Sequence, residues 1–226
     1  MKAELISCLG TDLTVVNAAR VSFDKESEWA VNHSVRQELS SSDSALIRYL
    51  AKHDHFTPFT HCMITLRETI PIFVARQRFK HTVGFTYNEV SRRYVDDEPE
   101  FYFPDEWRGR ADNAKQGSSE EVIDINPPTG TGPSMVDEYH HAIQKCRWTY
   151  EQLLRRGVCP EQARMVLPQS MFTSYYVTGS LSAFARAYKL RIDKHAQMEI
   201  QVLADKWNSI IKDLYPVSWE ALTDVN

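Results

Sequence analysis

Residues 70–95 read IPIFVARQRFKHTVGFTYNEVSRRYV, and the rest of the chain is arranged around this stretch. It opens with an apolar run, Ile70, Pro71, Ile72, Phe73, Val74 and Ala75, which reads as a buried helix start with Pro71 tolerated in the first turn. Arg76, Arg78, Lys80, Arg92 and Arg93 follow, opposed only by Glu89. A helix over 73–81 would place Arg76 with Lys80, and Gln77 with His81, on shared faces. Around Gly84 the periodicity breaks, and Asn88, Glu89, Ser91 and Arg93 form a second polar cluster. Cations, an amide, a carboxylate and a hydroxyl are costly to bury unless a polar anion meets them. The alternative, a solvated basic helix followed by a turn, fits poorly with the apolar lead-in.

The chain has 226 residues, enough for a sizeable core. Its 26 Lys and Arg against 30 Asp and Glu give a net charge of −4, unsuited to indiscriminate nucleic-acid binding. The basic cluster is therefore local, which suits a small phosphorylated ligand better than a duplex. Cys8, Cys62, Cys146 and Cys159 are scattered and give no zinc spacing, so reduced thiols are expected. The first residues, MKAELISCLGTD, support neither a signal peptide nor a membrane span. The expectation is a soluble cytoplasmic protein with no membrane or nucleic-acid partner.

Upstream of the central stretch, residues 1–9 read as a first strand, and Thr11-Asp12 caps a helix over 13–20. A polar loop runs to Ser42, and Ser42 or Asp43 caps a helix with Leu46, Ile47 and Leu50 on one face. His53, His55 and His61 suggest helix-end charge and hydrogen bonding rather than a metal site. Residues 62–69 set Cys62, Ile64 and Leu66 against Thr65, Arg67 and Thr69, the alternation of a half-buried strand, with Met63 the exception.

Downstream, residues 101–104 (FYFP) read as a short edge strand, and 105–133 as a surface loop insertion rich in turn formers. A long amphipathic helix follows, carrying Val136, Tyr139, Ile143, Trp148, Leu153 and Leu154, and Gly157 closes it. Pro160 starts a helix that Pro168 stops, with Arg164 on its polar side. Residues 171–177 read as a strand. Ser180 or Ser182 caps a helix to Arg191 or Ile192, and a last helix carries the stripe Ile200, Leu203, Trp207, Ile210, Ile211 and Leu214.

Five separated blocks now give a resemblance. His55-Phe-Thr57-Pro58-Phe, FVARQ at 73–77, Asn88-Glu89-Val-Ser91-Arg-Arg93-Tyr94, Ala163-Arg164-Met-Val-Leu-Pro168 and Leu190-Arg191-Ile-Asp193-Lys-His195-Ala-Gln197 stand in order and near the spacing of the flavin-dependent thymidylate synthases. The chain resembles that family from about Ala19 to the last helix. One departure bears on the flavin contact. The family's signature has Arg-His-Arg before its Asn/Ser/Arg block; this chain has Lys80-His81-Thr82 and one extra residue before Asn88. Lys80 keeps a charge without the guanidinium fork, and Thr82 loses it. The insertion at 105–133 is also longer than the family suggests.

The resemblance implies an α/β (α+β) fold in one domain over 1–226, with a mostly antiparallel sheet flanked by helices and a helical C-terminal half. It implies reductive methylation of dUMP to dTMP, with methylenetetrahydrofolate as carbon donor, FAD as hydride carrier and NADPH as reductant. It implies a homotetramer with shared active sites, and no metal or catalytic cysteine. Phosphate asks for forks and hydroxyls, which Ser91, Arg93 and Arg164 supply, with Arg92 nearby. Arg191 matches the family arginine that polarises the uracil ring, stabilising charge at its N3–C4=O edge; the alternative is a salt bridge to Asp193 or Glu199. Gln77 matches a nucleotide contact. Thr57, Lys80, His81, Thr82 and Glu89 match flavin contacts, and Lys80 and Glu89 also reach the nucleotide. Ser180 and Arg186, the latter where Asn is common, fall at further flavin positions, and His55 lies near flavin and folate. Two other readings stay open: a non-catalytic nucleotide- or RNA-binding relative, and a flavoenzyme acting on another pyrimidine nucleotide.

Overall fold

The computed structural model describes residues 1–30, 38–95, 97–111 and 117–224; residues 31–37 of the loop before Ser42, Asp96 and residues 112–116 of the insertion lie outside the described residues. Among the described residues the strands are β1 (Lys2–Leu9), β2 (Met63–Pro71), β3 (Phe85–Glu89) and β4 (Phe172–Ser180), in one sheet of order β1-β2-β4-β3. Thr65 pairs its hydroxyl with that of Thr178 at 2.9 Å, and Thr69 donates to Ser174 at 3.1 Å, so β2 and β4 run antiparallel. β3 also runs against β4, with the Ser180 amide on the Gly84 carbonyl and the Val90 amide on that of Ser174. The expected mixed α/β fold with an antiparallel sheet is observed.

The chain divides into two compact units, one of Met1–Glu68, Lys80–Asn88 and Tyr176–Asn226, the other of Thr69–Phe79 and Glu89–Tyr175. In the first, α1 (Asp12–Arg20) and α2 (Ser41–Lys52) follow β1, and α6 (Leu181–Arg191), α7 (Met198–Leu214) and α8 (Pro216–Thr223) follow β4; α3 to α5 belong to the second unit. The alternation read for 62–69 holds: Cys62, Ile64 and Leu66 are buried, and Met63 takes its place on the opposite face with Thr65. The stripe of α7 buries Ile200, Leu203, Trp207 and Ile211, with Ile210 and Leu214 at its margin. Removing side chains of this size from water contributes roughly 1.5–3 kcal/mol each. Glu68 is fully buried on the same row and accepts from the Trp207 indole at 2.8 Å, which offsets part of the cost of a carboxylate there.

Several local readings change. The cap of α2 is Ser40, whose hydroxyl accepts from the Asp43 amide, so the helix starts earlier than Ser42 or Asp43 would set it. Asp43 is freed to accept from Arg20, Ser27 and Ser40, a cluster that ties α1 to α2. The sequence reading held no α8. Its first turn is capped from 205 residues away: the Val217 and Ser218 amides each donate 2.9 Å to the Asp12 carboxylate. Tyr215, just before it, donates its hydroxyl to the carbonyls of Leu9 and Met63.

In the second unit, α3 (Ile72–Arg78) stops three residues short of the end of the expected 73–81 helix, with Phe79 as its C-cap, and β2 continues through Pro71, which stands at the N-cap of α3 rather than in its first turn. Arg76 and Lys80 thus share no helix face. α4 (Met135–Arg155) has Ser134 as its cap and ends before Gly157 at φ +81°, in the left-handed region that glycine enters without strain. Its stripe is only partly core: Ile143 and Tyr150 are buried, while Trp148 is half exposed under the Lys145 ammonium, 4.1 Å from its ring. Residues 101–104 form no strand; Phe101 makes one antiparallel bridge to Met171. α5 (Pro160–Ala163) passes into a tight turn, Arg164–Val166.

Candidate active site

Candidate residues of the first unit gather where the segment 80–84 meets α6. Ser180 ends β4 and caps α6, its hydroxyl accepting from the Ala183 amide. Its own amide donates to the Gly84 carbonyl at 3.3 Å. Gly84 sits at φ +78°, and a Cβ there would come 2.9 Å from that of Ala183. The next residue, Phe85, packs edge-on against Phe184 with centroids 4.9 Å apart. Arg186, one turn along α6, donates to the Val83 carbonyl at 2.5 Å. The segment therefore has little freedom.

Of the three residues at the family's signature position, Lys80 and Thr82 are exposed and His81 is half buried. Arg191, the last residue of α6, donates from Nε to Nε2 of His81 at 2.8 Å. A guanidinium has only donors, so this bond takes His81 as an acceptor: the imidazole is neutral, with its proton on Nδ1. The His81 carbonyl accepts from the Tyr87 hydroxyl at 2.7 Å. Asp193, an expected alternative partner for Arg191, accepts from the His195 amide. Sequence reasoning missed the role of Tyr87, although its spacing from Phe85 is the two-residue period of a strand.

Thr57 and His55 lie in the same unit, both exposed. Thr57 opens a single helical turn, Thr57–Thr60. His55 follows Asp54 at φ +56°, which reverses the chain after α2, and Tyr49 packs on His53 with centroids 4.4 Å apart. Among the described residues no group of His, Cys, Asp and Glu is placed to hold a metal ion. Cys62 is buried, and burial, with the Asp12 charge adding to it, pushes its thiol up to about 12.

The second unit carries Gln77, Glu89, Ser91, Arg92, Arg93 and Arg164. Glu89, at the end of β3, accepts from the Thr173 hydroxyl at 2.6 Å. The Ser91 hydroxyl accepts from the amide and the Nε of Arg93, which also lies over the Tyr94 ring. Arg92 is mostly buried and binds the carboxylate and the carbonyl of Asp97, so its fork serves the turn. Arg164 is exposed on its tight turn. Arg93 and Arg164 are exposed guanidinium groups of this unit.

The donors of the first unit suit a flat, anionic cofactor: Lys80 and Arg186 are cations, Thr57 and Thr82 carry exposed hydroxyls, and His81 offers a planar ring held in place. Ser180 differs, since its hydroxyl is buried and committed to the cap of α6.

The family described as thymidylate synthase complementing protein matches residues 4–217. A flavin-dependent thymidylate synthase of Thermosipho melanesiensis is 35% identical over 98% of this chain and 90% of its own. One of Thermus thermophilus is 34% identical over 97% and 74%. Among solved structures, a UMP/dUMP methylase, PolB of Streptomyces cacaoi bound with 5-Br dUMP, gives a TM-score of 0.78. It is 29% identical over 98% of this chain and 94% of that one.

Proposed function

Because the chain belongs to the flavin-dependent thymidylate synthase family, we propose that it converts dUMP to dTMP with methylenetetrahydrofolate as carbon donor and NADPH as reductant. It is a flavin-dependent methyltransferase; we take the flavin to be FAD, which when bound supplies the hydride. The observation that carries the reading is the Arg191–His81 pair beside the signature loop, with a phosphate-suited arginine set in the other unit.

Arg191 polarises the uracil edge, while Arg93, Arg164 and Ser91 hold the phosphate and Gln77 the nucleotide. Arg92 contributes by fixing the turn that carries Ser91 and Arg93. Lys80, Thr82, Thr57, His81 and Arg186 hold the flavin, with Glu89 at its edge and His55 on the folate side. In a homotetramer with shared sites, the phosphate set and Arg191 can come from different subunits. The unbroken family match over 4–217 supports one catalytic domain.

The test is dTMP formation by purified protein supplied with dUMP, FAD, NADPH and methylenetetrahydrofolate, each omitted in turn. Turnover that needs all four supports the reading; no product with all four present overturns it. A second reading, methylation of UMP, is favoured by the similarity to a methylase bound with 5-Br UMP. Equal turnover of UMP and dUMP would establish it, and dCMP is expected to be inert.

A further inference from the structure

We propose that His81 is a positioning residue for Arg191, aiming its guanidinium without reducing its charge; this rests on the function proposed above. Arginine side chains at ligand sites are usually held by carboxylates, which give strong bonds but cancel much of the field the arginine projects. The bond here is different in kind. Arg191 donates through Nε, the inner edge of its fork, to a neutral imidazole nitrogen at 2.8 Å. A neutral acceptor restricts the torsions of a long side chain while adding no negative charge beside it.

The surroundings show that His81 is itself held. Its carbonyl takes the Tyr87 hydroxyl, and two residues on Val83 is tied to Arg186. The Gly84 carbonyl takes the Ser180 amide, and the absence of a Cβ at Gly84 lets the segment lie against Ala183. Of three consecutive residues, the two with exposed side chains are Lys80 and Thr82, and His81 turns in. These contacts come from β3, the end of β4 and α6, so the backbone that carries the imidazole is fixed from several sides, and the bond to Arg191 joins the ring itself to α6. Its partner ends a helix, where a side chain has no following turn to pack against. Orientation at that position has to come from another element, and His81 supplies it from 110 residues away.

The test compares three substitutions in the full-length protein. His81→Ala removes the acceptor; His81→Gln offers a neutral amide oxygen; His81→Glu offers an acceptor that carries a charge. Flavin binding is followed by visible absorbance, and kcat and KM for dUMP by dTMP formation. H81A is expected to lose roughly 10- to 100-fold in kcat/KM, the range for one hydrogen bond to a charged group. H81Q is expected to regain most of that loss. Compared at flavin and dUMP concentrations that saturate each variant, H81E is expected to stay as slow as H81A, because its carboxylate dampens the charge that the uracil should feel. A merely structural histidine would not separate Gln from Glu. H81E matching or exceeding H81Q would overturn the proposal, and so would an unimpaired H81A. A wild-type protein that makes no dTMP would instead remove the underlying function.

Discussion

An arginine at the last position of α6 is favoured there by the helix dipole, and its charge is available to a ligand as well as to its own backbone. Arg191→Ala is therefore expected to abolish dTMP formation while visible absorbance shows flavin still bound; substantial remaining turnover would remove the role given to it. The phosphate arginines should behave differently, because they bind equally in ground and transition states. Arg164→Ala is expected to raise KM for dUMP by roughly 10-fold or more with kcat little changed. Arg92, committed to Asp97, should act less directly. Cys62 illustrates a residue that chemistry leaves alone: with its thiol pushed up to about 12 it stays protonated at neutral pH. A thiol reagent at pH 8 should label exposed Cys8 and Cys159, and Cys62 only after denaturant is added. The residue types of the site could be read from the sequence because motif blocks keep their order. The Arg191–His81 bond could not be, since no periodicity joins positions 110 apart.

Helix α3 shows why boundaries were harder to read than elements. The apolar run from Ile70 serves both a strand end and a helix start, and only Pro71, at φ −64° and ψ 149°, marks the change. Strand β3 was hidden for a related reason: five residues with two aromatic positions give too short an alternation to identify. Helix α2 tests its own cap and clamp. Burial pushes the Asp43 carboxyl up, but hydrogen bonds from Ser40, Arg20 and Ser27 outweigh it and hold the pKa below its usual value. A carboxyl lowered by folding stabilises the native state above its unfolded pKa of about 4, and this is lost as pH falls through the folded value. Asp43→Asn should accordingly cost stability in urea unfolding at pH 7, with the gap to wild type closing toward pH 3. At the segment before β3, Gly84→Ala should lower stability by about 1 kcal/mol or more, from left-handed strain and the clash with Ala183. It should also weaken flavin binding, since His81 lies on that segment.

At the scale of the chain, the composition pointed to a small phosphorylated ligand rather than nucleic acid, and β2, α4 and α7 followed from their hydrophobic periods. What stayed hidden were long-range polar ties. Asp12 reads locally as the first acidic residue of α1, yet its two oxygens cap α8. Nothing in a local window reveals a partner 205 positions on. Tyr215 likewise holds the carbonyls of Leu9 and Met63. Those ties have a bearing on how the protein is made. On the ribosome, Asp12 emerges 205 residues ahead of the Val217 amide that it accepts from. Helix α1 must wait through all of that synthesis before its carboxylate meets the helix it caps, a long interval for a cell to shelter. A stop codon just before Tyr215 would leave Leu9, Asp12 and Met63, long since made, without these ties.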